Sequence, residues 1–383
     1  MPKILISAGE PSGDRYAATL VEALRRRHPD LEFFGCAQPL MLAAGVRPVI
    51  DAAKLHVVGL FEVITHIPGI WKEYRRLIRA ADAERPVLAI LTDSPDFHLR
   101  VARQLALRKI PVVYLVAPQA WAWRPGRTRQ MARDLQKLLC IFPFEERWFR
   151  DRGVPTDYIG HPLARQVKPT VTPADFRREL GIPAGHRLVA LLPGSRPGEV
   201  RRHWPILRAA VEKLKNRPIT FVLGAVPSLG EQFFVNQMGS ATIQASVSNV
   251  KVIEGRTWDL LASADLALAA SGTVTVEAAL LGTPMVTFYR VTPASWALGK
   301  WLVRTPYFTM ANLIADEKLV PELMQNEATG DRLAAETARL LDSPADLAQM
   351  RAGLARVARL LHTGHDPIER AADIVSGMLT EHV

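Results

Sequence analysis

The chain has 383 residues, 48% of them apolar and 22% charged, with 48 Lys and Arg against 38 Asp and Glu for a formal net charge of +10. That length suits two α/β domains, each able to bury its own core, and the composition excludes disordered and fibrous classes. The basic excess favours a polyanionic ligand or surface without choosing among nucleic acid, anionic lipid and a phosphorylated substrate.

Met1-Pro2-Lys3 leads at once into Ile4-Leu5-Ile6 and a polar run from Ser7 to Asp14, which predicts a first strand over Lys3 to Ser7 and no signal peptide. The two cysteines, Cys36 and Cys140, stand far apart in apolar settings, with neither a metal-ligand spacing nor a disulfide framework. They read as buried thiols in a reducing cytosol. Next, Ile67, Ile70, Trp71, Tyr74, Leu77 and Ile78 share one helical face, Lys72, Arg75, Arg76 and Arg79 lie off it, and the apolar run Val57 to Ile64 comes just before. On its own the pattern favours a core-facing helix with a solvated basic face, with a helix lying shallowly in an anionic leaflet as the alternative.

Further strands are expected at Val87 to Leu91, Val112 to Leu115 and Leu138 to Phe142. Proline and polar residues then gather between Gly160 and Pro173 before the alternation restarts at Leu188 to Leu192. Strands follow at Ile219 to Leu223, Val250 to Ile253, Leu266 to Ala269 and Met285 to Tyr289, and helices fill the C-terminus. Ser271, Gly272, Glu277, Gly282 and Pro284 interrupt the apolar stretch Leu266 to Tyr289, so no transmembrane helix is predicted. Short β-branched runs alternating with amphipathic helices indicate an α/β fold of two facing Rossmann-like domains. The expected boundaries are residues 1–165, 173–345 and a helical C-terminus, 346–383, packing across both.

Ligands in such sheets lie beyond the C-terminal strand ends. After Ala270 the chain runs Ser271-Gly272-Thr273 into a helix carrying Glu277, which suits a diphosphate on free backbone N–H groups with the carboxylate reaching ribose. A capped helix, with Ser271 or Thr273 as N-cap, explains the same residues. Leu192-Pro193-Gly194-Ser195-Arg196 supplies a second glycine turn with a forked donor, and two such turns in one domain favour phosphate binding. No Gly-Lys-Ser/Thr follows, which excludes a P-loop, and no Asp-x-Asp triplet occurs, so neither a bridging metal nor any cofactor is expected.

In the first domain the loop Ala8-Gly9-Glu10-Pro11-Ser12-Gly13-Asp14 and the strand end Thr92-Asp93-Ser94-Pro95-Asp96-Phe97-His98 collect groups able to take a proton from an acceptor hydroxyl. Asp96, Asp93, Glu10 and His98 are the candidates. Trp121 and Trp123 precede Arg124, Arg127 and Arg129, yet no nucleic-acid module surrounds them, so nucleic acid is not expected as a partner.

Taken together, Ala8-Gly9-Glu10 with Ser12-Gly13-Asp14, Pro95-Asp96-Phe97, Pro118-Gln119-Ala120-Trp121-Ala122-Trp123 and Phe142-Pro143-Phe144-Glu145 resemble the lipid A disaccharide synthase family. So do Gly160-His161-Pro162, Leu192 to Arg196, Ser271-Gly272-Thr273 with Glu277, and Asn312-Leu313 with Pro321-Glu322 and Gln325. The resemblance implies an inverting glycosyltransferase of GT-B architecture that joins UDP-2,3-diacylglucosamine to 2,3-diacylglucosamine 1-phosphate through a β-1,6 bond. It makes Asp96 the general base and Glu10 the group orienting the acceptor; from the two loops themselves, Ser12, Asp14, Asp93 and His98 are further candidates for substrate contact. Arg196, Ser271, Gly272, Thr273, Glu277, Asn312 and Gln325 become the nucleotide-sugar set. An acylated substrate also favours the membrane reading of Ile67, Ile70, Trp71, Tyr74, Arg75 and Arg76, with the protein in the cytoplasm on the inner face of the membrane. A homodimer through the helical C-terminus is a further expectation.

The chain departs from the family at Gly35-Cys36-Ala37-Gln38, where a Gly-x-Gly-Gly turn is usual, at Ala117 in place of serine, and at His98 in place of asparagine. The rival readings are a related transferase for another amphiphilic sugar, a UDP-sugar epimerase and a non-catalytic glycolipid-binding protein.

Overall fold

The computed structural model describes residues 1–51, 60–238, 250–303 and 305–380. It forms two compact units, one of Met1–Pro162 with Thr363–Val383 and one of Leu163–His362.

The first unit holds a parallel sheet of β1 (Lys3–Ala8), β2 (Glu32–Ala37), β3 (Arg47–Asp51), β4 (Leu88–Thr92), β5 (Val112–Leu115), β6 (Lys137–Cys140) and β7 (Thr156–Tyr158), in the order β3-β2-β1-β4-β5-β6-β7. The second holds β8 (Arg187–Leu192), β9 (Ile219–Ala225), β10 (Val250–Glu254), β11 (Leu266–Ala270), β12 (Met285–Tyr289) and β13 (Glu322–Met324), in the order β10-β9-β8-β11-β12-β13. Runs such as Ile4-Leu5-Ile6 and Val189-Ala190-Leu191 are fully buried, as strands covered by helices on both faces must be. Helices open on proline at Pro11, Pro95 and Pro197, where a missing N–H breaks no helical bond and the fixed φ starts the turn.

Both sheets repeat the Rossmann order, so each has a switch point where neighbouring central strands send their chains to opposite sides. In the first unit that point lies between β1 and β4, with Ala8 level with Thr92. In the second it lies between β8 and β11, with Leu192 level with Ala269. The loops singled out in the sequence, Gly9–Asp14, Asp93–Asp96, Pro193–Arg196 and Ser271–Thr273, are the four that leave these strands.

Strands β2, β3, β7 and β13 add to those expected. Gly35 and Cys36 break the periodicity of β2, and β7 and β13 have only three residues each. Strand β6 ends at Cys140 rather than Phe142, because Phe142 caps the helix Pro143–Arg150, with Glu145 accepting its backbone N–H at 3.2 Å. Helix Pro344–Leu361 belongs to the second unit. The helix Pro367–Thr380 instead returns to the first, where Glu369 and Asp373 pair with Arg27 at 2.6 and 2.9 Å and Ile368, Ala371 and Val375 are buried.

Along the helix Leu60–Glu84 the apolar stripe divides. Leu77 and Ile78 belong to the core and Tyr74 packs against it, while Trp71 is 46% exposed. Trp71 stacks on Tyr74 with ring centroids 4.9 Å apart and lies under the Arg75 guanidinium at 5.3 Å. Lys72, Arg75 and Arg76 are exposed and Ile70 is half-buried. Residues 57–59 and the side chains of residues 60–64 and of Ile67 lie outside what the structure describes. No described helix is long and apolar enough to cross a membrane.

Candidate active site

In the first unit the loop after β1, strand β5 and the helix Pro95–Leu107 converge on Asp93. Its Oδ1 accepts the Gly9 N–H at 2.7 Å and its Oδ2 the Glu10 N–H at 2.9 Å. Its carbonyl oxygen accepts the Tyr114 hydroxyl and the His98 Nδ1–H, the latter at 3.0 Å. Asp93 and Ser94 both have left-handed backbones, φ 53° and 35°, a strain of about 1–3 kcal/mol for each residue that these bonds offset. Gly9 and Gly13 are required by this packing, since a Cβ on Gly9 would collide with Ser94 Oγ and one on Gly13 with Asp93 Oδ2. Burial pushes the Asp93 carboxyl up to about 7 against the pull of the two amides.

Around this strut stand the candidate bases. Asp96, in the first turn of the helix Pro95–Leu107, leaves 68% of its side chain exposed, and its Oδ1 accepts from Arg124 at 2.7 Å and from Arg127. Both guanidinium groups also lie over the Trp123 ring, 4.3 and 5.3 Å from its centroid, which accounts for Arg124 and Arg127 behind the tryptophans. Glu10 and Ser12 are exposed at the start of the helix Pro11–Arg27.

Two expected substrate contacts change role. Asp14 is buried, and its carboxylate accepts the N–H groups of Gln38, Leu40 and Met41 at 2.9–3.2 Å, capping the helix Pro39–Ala43. His98 is fully buried. Because its Nδ1 must donate to the Asp93 carbonyl, its Nε2 accepts the Ser7 hydroxyl at 2.7 Å, and the imidazole braces the strut instead of facing substrate.

Burial pushes His98 down to about 4 from an ordinary 6.5. The unfolded chain therefore takes up that proton first, and the stability His98 contributes is full above pH 6.5 and lost as pH falls through 4. Asp93, raised to about 7, and Glu145, raised by burial to about 8, act in the opposite sense. The test is thus a difference. Between pH 6.5 and 4 the denaturation free energy of wild type should fall more steeply than that of His98→Asn, and parallel curves would refute a buried neutral imidazole.

In the second unit the loops after β8, β10 and β11 surround a cavity of about 550 Å³ lined by Gly194, Ser195, Arg196, Ser271, Gly272, Thr273 and Glu277. Thr273 holds the N-cap position of the helix Val274–Leu280, but neither its hydroxyl nor that of Ser271 makes a capping bond; the Ser271 hydroxyl donates instead to the Phe308 carbonyl at 2.9 Å. The capped-helix reading therefore fails, and the first N–H groups of the helix carry no side-chain cap at the cavity wall. The Glu277 carboxyl, raised by burial, accepts the Trp258 side-chain N–H. Glu199 sits beneath the first loop, accepting the Tyr289 hydroxyl at 2.9 Å and the Ser195 N–H at 3.3 Å, and Gly194, at φ 114°, provides the space. Arg196 is 79% exposed and 3.5 Å from Glu199.

Asn312 and Gln325 lie outside this wall. Asn312 is fully buried, its carboxamide bonded to Val320 N–H and C=O and to Glu322 at 2.8–3.0 Å, so it positions the segment carrying Phe308 rather than touching the donor. Gln325 pairs its carboxamide with the backbone of Val291 at 3.0 and 3.1 Å. Sequence reasoning missed Arg256, Trp258 and Asp259. Asp259 accepts from Thr170 and Arg256, and the lowered pKa of its carboxyl combines burial, which raises it, with these bonds, which lower it further. The strand-end rule finds these residues, since they follow β10 directly.

A family model for lipid-A-disaccharide synthetase matches residues 4–364. The chain belongs to the lipid-A-disaccharide synthase family. The lipid-A-disaccharide synthase of Solibacter usitatus is 55% identical over 99% of both chains. Among solved structures, a glycosyltransferase from Rickettsia africae superposes with a TM-score of 0.61 at 9% identity, over 99% of this chain and 98% of that one. The UDP-GlcNAc 2-epimerase of Neisseria meningitidis, bound to UDP-GlcNAc, gives 0.58 at 14% identity, over 99% and 100%. One GT-B fold thus serves a transferase and an epimerase. Membership in the lipid-A-disaccharide synthase family decides between them, and the chain is a glycosyltransferase of lipid A disaccharide synthesis.

Proposed function

We propose that the protein transfers the 2,3-diacylglucosamine unit of its UDP derivative to the 6-hydroxyl of 2,3-diacylglucosamine 1-phosphate, with inversion and without metal. The observation that carries the donor half is the cavity that gathers Arg196, the Ser271–Thr273 turn and Glu277 around one space. A diphosphate fits the helix end and Arg196, and ribose hydroxyls fit Glu277. Asp96 takes the acceptor proton as the acceptor oxygen bonds to the anomeric carbon, the bond from that carbon to the β-phosphate oxygen breaks, and UDP leaves carrying the electron pair. Glu10, whose backbone N–H is fixed by Asp93, orients the acceptor.

Purified protein given both acylated substrates should yield the disaccharide 1-phosphate and UDP by mass spectrometry, at a rate unchanged by EDTA. Epimerised sugar without disaccharide, or a rate abolished by chelation, would overturn this reading.

The acceptor and donor are amphiphiles, and exposed Trp71 with Lys72, Arg75 and Arg76 suits the surface of an anionic membrane. The protein should sediment with anionic vesicles and less with zwitterionic ones, and Trp71→Ser should weaken the association. Equal sedimentation with both would remove the membrane role.

A further inference from the structure

The nucleotide-sugar cavity of the second unit does not end at Ser271. Ser271 and Tyr289 also line a smaller chamber of about 310 Å³ with Val291, Trp296, Phe308 and Met324. That chamber shares Val291, Trp296, Phe308, Met324 and Gln325 with a third of about 730 Å³, bounded by the helix Pro293–Leu302. We propose that these two chambers receive an acyl chain of the donor sugar.

The chemistry of the walls carries the assignment. Val291, Trp296, Phe308 and Met324 are apolar, and Phe308 is left 43% exposed beside the Trp296 ring, 6.1 Å between centroids. The polar groups at and beside the overlap of the two chambers are committed within the protein, while Lys318, Asn326 and Glu327, all exposed, also line the larger one. Gln325 is held by both backbone groups of Val291, and the Glu322 carboxylate accepts the N–H groups of Phe308 and Thr309 and the Asn312 amide. Where the chambers overlap a polar ligand would find little to bond, whereas a hydrocarbon chain would cover surface that is otherwise wet. The position also fits. If the diphosphate occupies the Ser271–Thr273 turn, the sugar it carries stands beside Ser271 and Tyr289, at the mouth of the chambers. The inference rests on the nucleotide-sugar reading and adds where the donor's acyl chain goes.

Gly299 supplies the test. It lines the larger chamber, a Cβ there meets nothing within 4 Å, and a side chain raises helix propensity, so Gly299→Leu should fold and fill the space. In this variant the KM for UDP-2,3-diacylglucosamine should rise roughly tenfold or more, with the calorimetric Kd for UDP alone within about twofold of wild type. The rise should shrink as the donor's acyl chains are shortened. Trp296→Ala, which widens the passage, should relax the preference for chain length. If UDP binds both proteins equally and neither variant alters the response to chain length, the acyl inference fails and the nucleotide reading stands. If wild type does not bind UDP, both fail.

Discussion

Asp96→Asn is expected to lower kcat for disaccharide formation by roughly 10²–10⁴-fold while the Kd for UDP stays within about twofold. The substitution is nearly isosteric, and the amide oxygen still accepts from Arg124 and Arg127, so the local geometry survives while the proton acceptor is lost. Two neighbours compete for the role. Glu10 is exposed, and Glu10→Gln should mainly raise the acceptor KM if it orients and does not deprotonate. Asp93 already spends both carboxylate oxygens on the amides of Gly9 and Glu10. With its carboxyl raised to about 7, a reaction using Asp93 as base would speed up as pH rises through 7. An Asp96→Asn enzyme that retains its rate and shows that rise would move the base to Asp93. One that retains its rate without the rise would move it to Glu10.

The sequence made the four loops at the switch points legible because each is a local event, an apolar run ending in small or polar residues before a helix. It also carried the alternation that makes both sheets parallel. Side chains that act at a distance were not legible. His98 looked like a substrate contact because it follows the Asp93–Asp96 loop, yet the helix Pro95–Leu107 turns it inward onto Ser7, 91 residues away. Asn312 looked like a donor ligand, yet its partners are Val320 and Glu322. In both cases one polar residue in a motif has two uses, and only burial tells them apart. The split of the stripe on the helix Leu60–Glu84 was hidden for the same reason: periodicity identifies an apolar face without saying what covers it.

Arg196→Ala is expected to reduce kcat by roughly 10²–10³-fold, the usual consequence of removing one preorganised donor from a developing anion. Glu199, its nearest carboxylate, is already held by Tyr289 and the Ser195 amide, and at 3.5 Å it makes only a loose pair with Arg196. The guanidinium is therefore anchored at the start of the helix Pro197–Leu214 but free to close on phosphate oxygens. As the anomeric bond breaks, negative charge grows on the β-phosphate, so a contact there strengthens toward the transition state and its loss falls on kcat more than on KM. Arg196→Lys keeps the charge without the forked geometry and should fall between wild type and alanine. If alanine raises only the donor KM and leaves kcat intact, Arg196 binds the diphosphate equally in ground and transition states. The burden of stabilising UDP would then rest on the uncapped N–H groups at Gly272 and Thr273, where Gly272→Pro would remove a donor and Gly272→Ala would not.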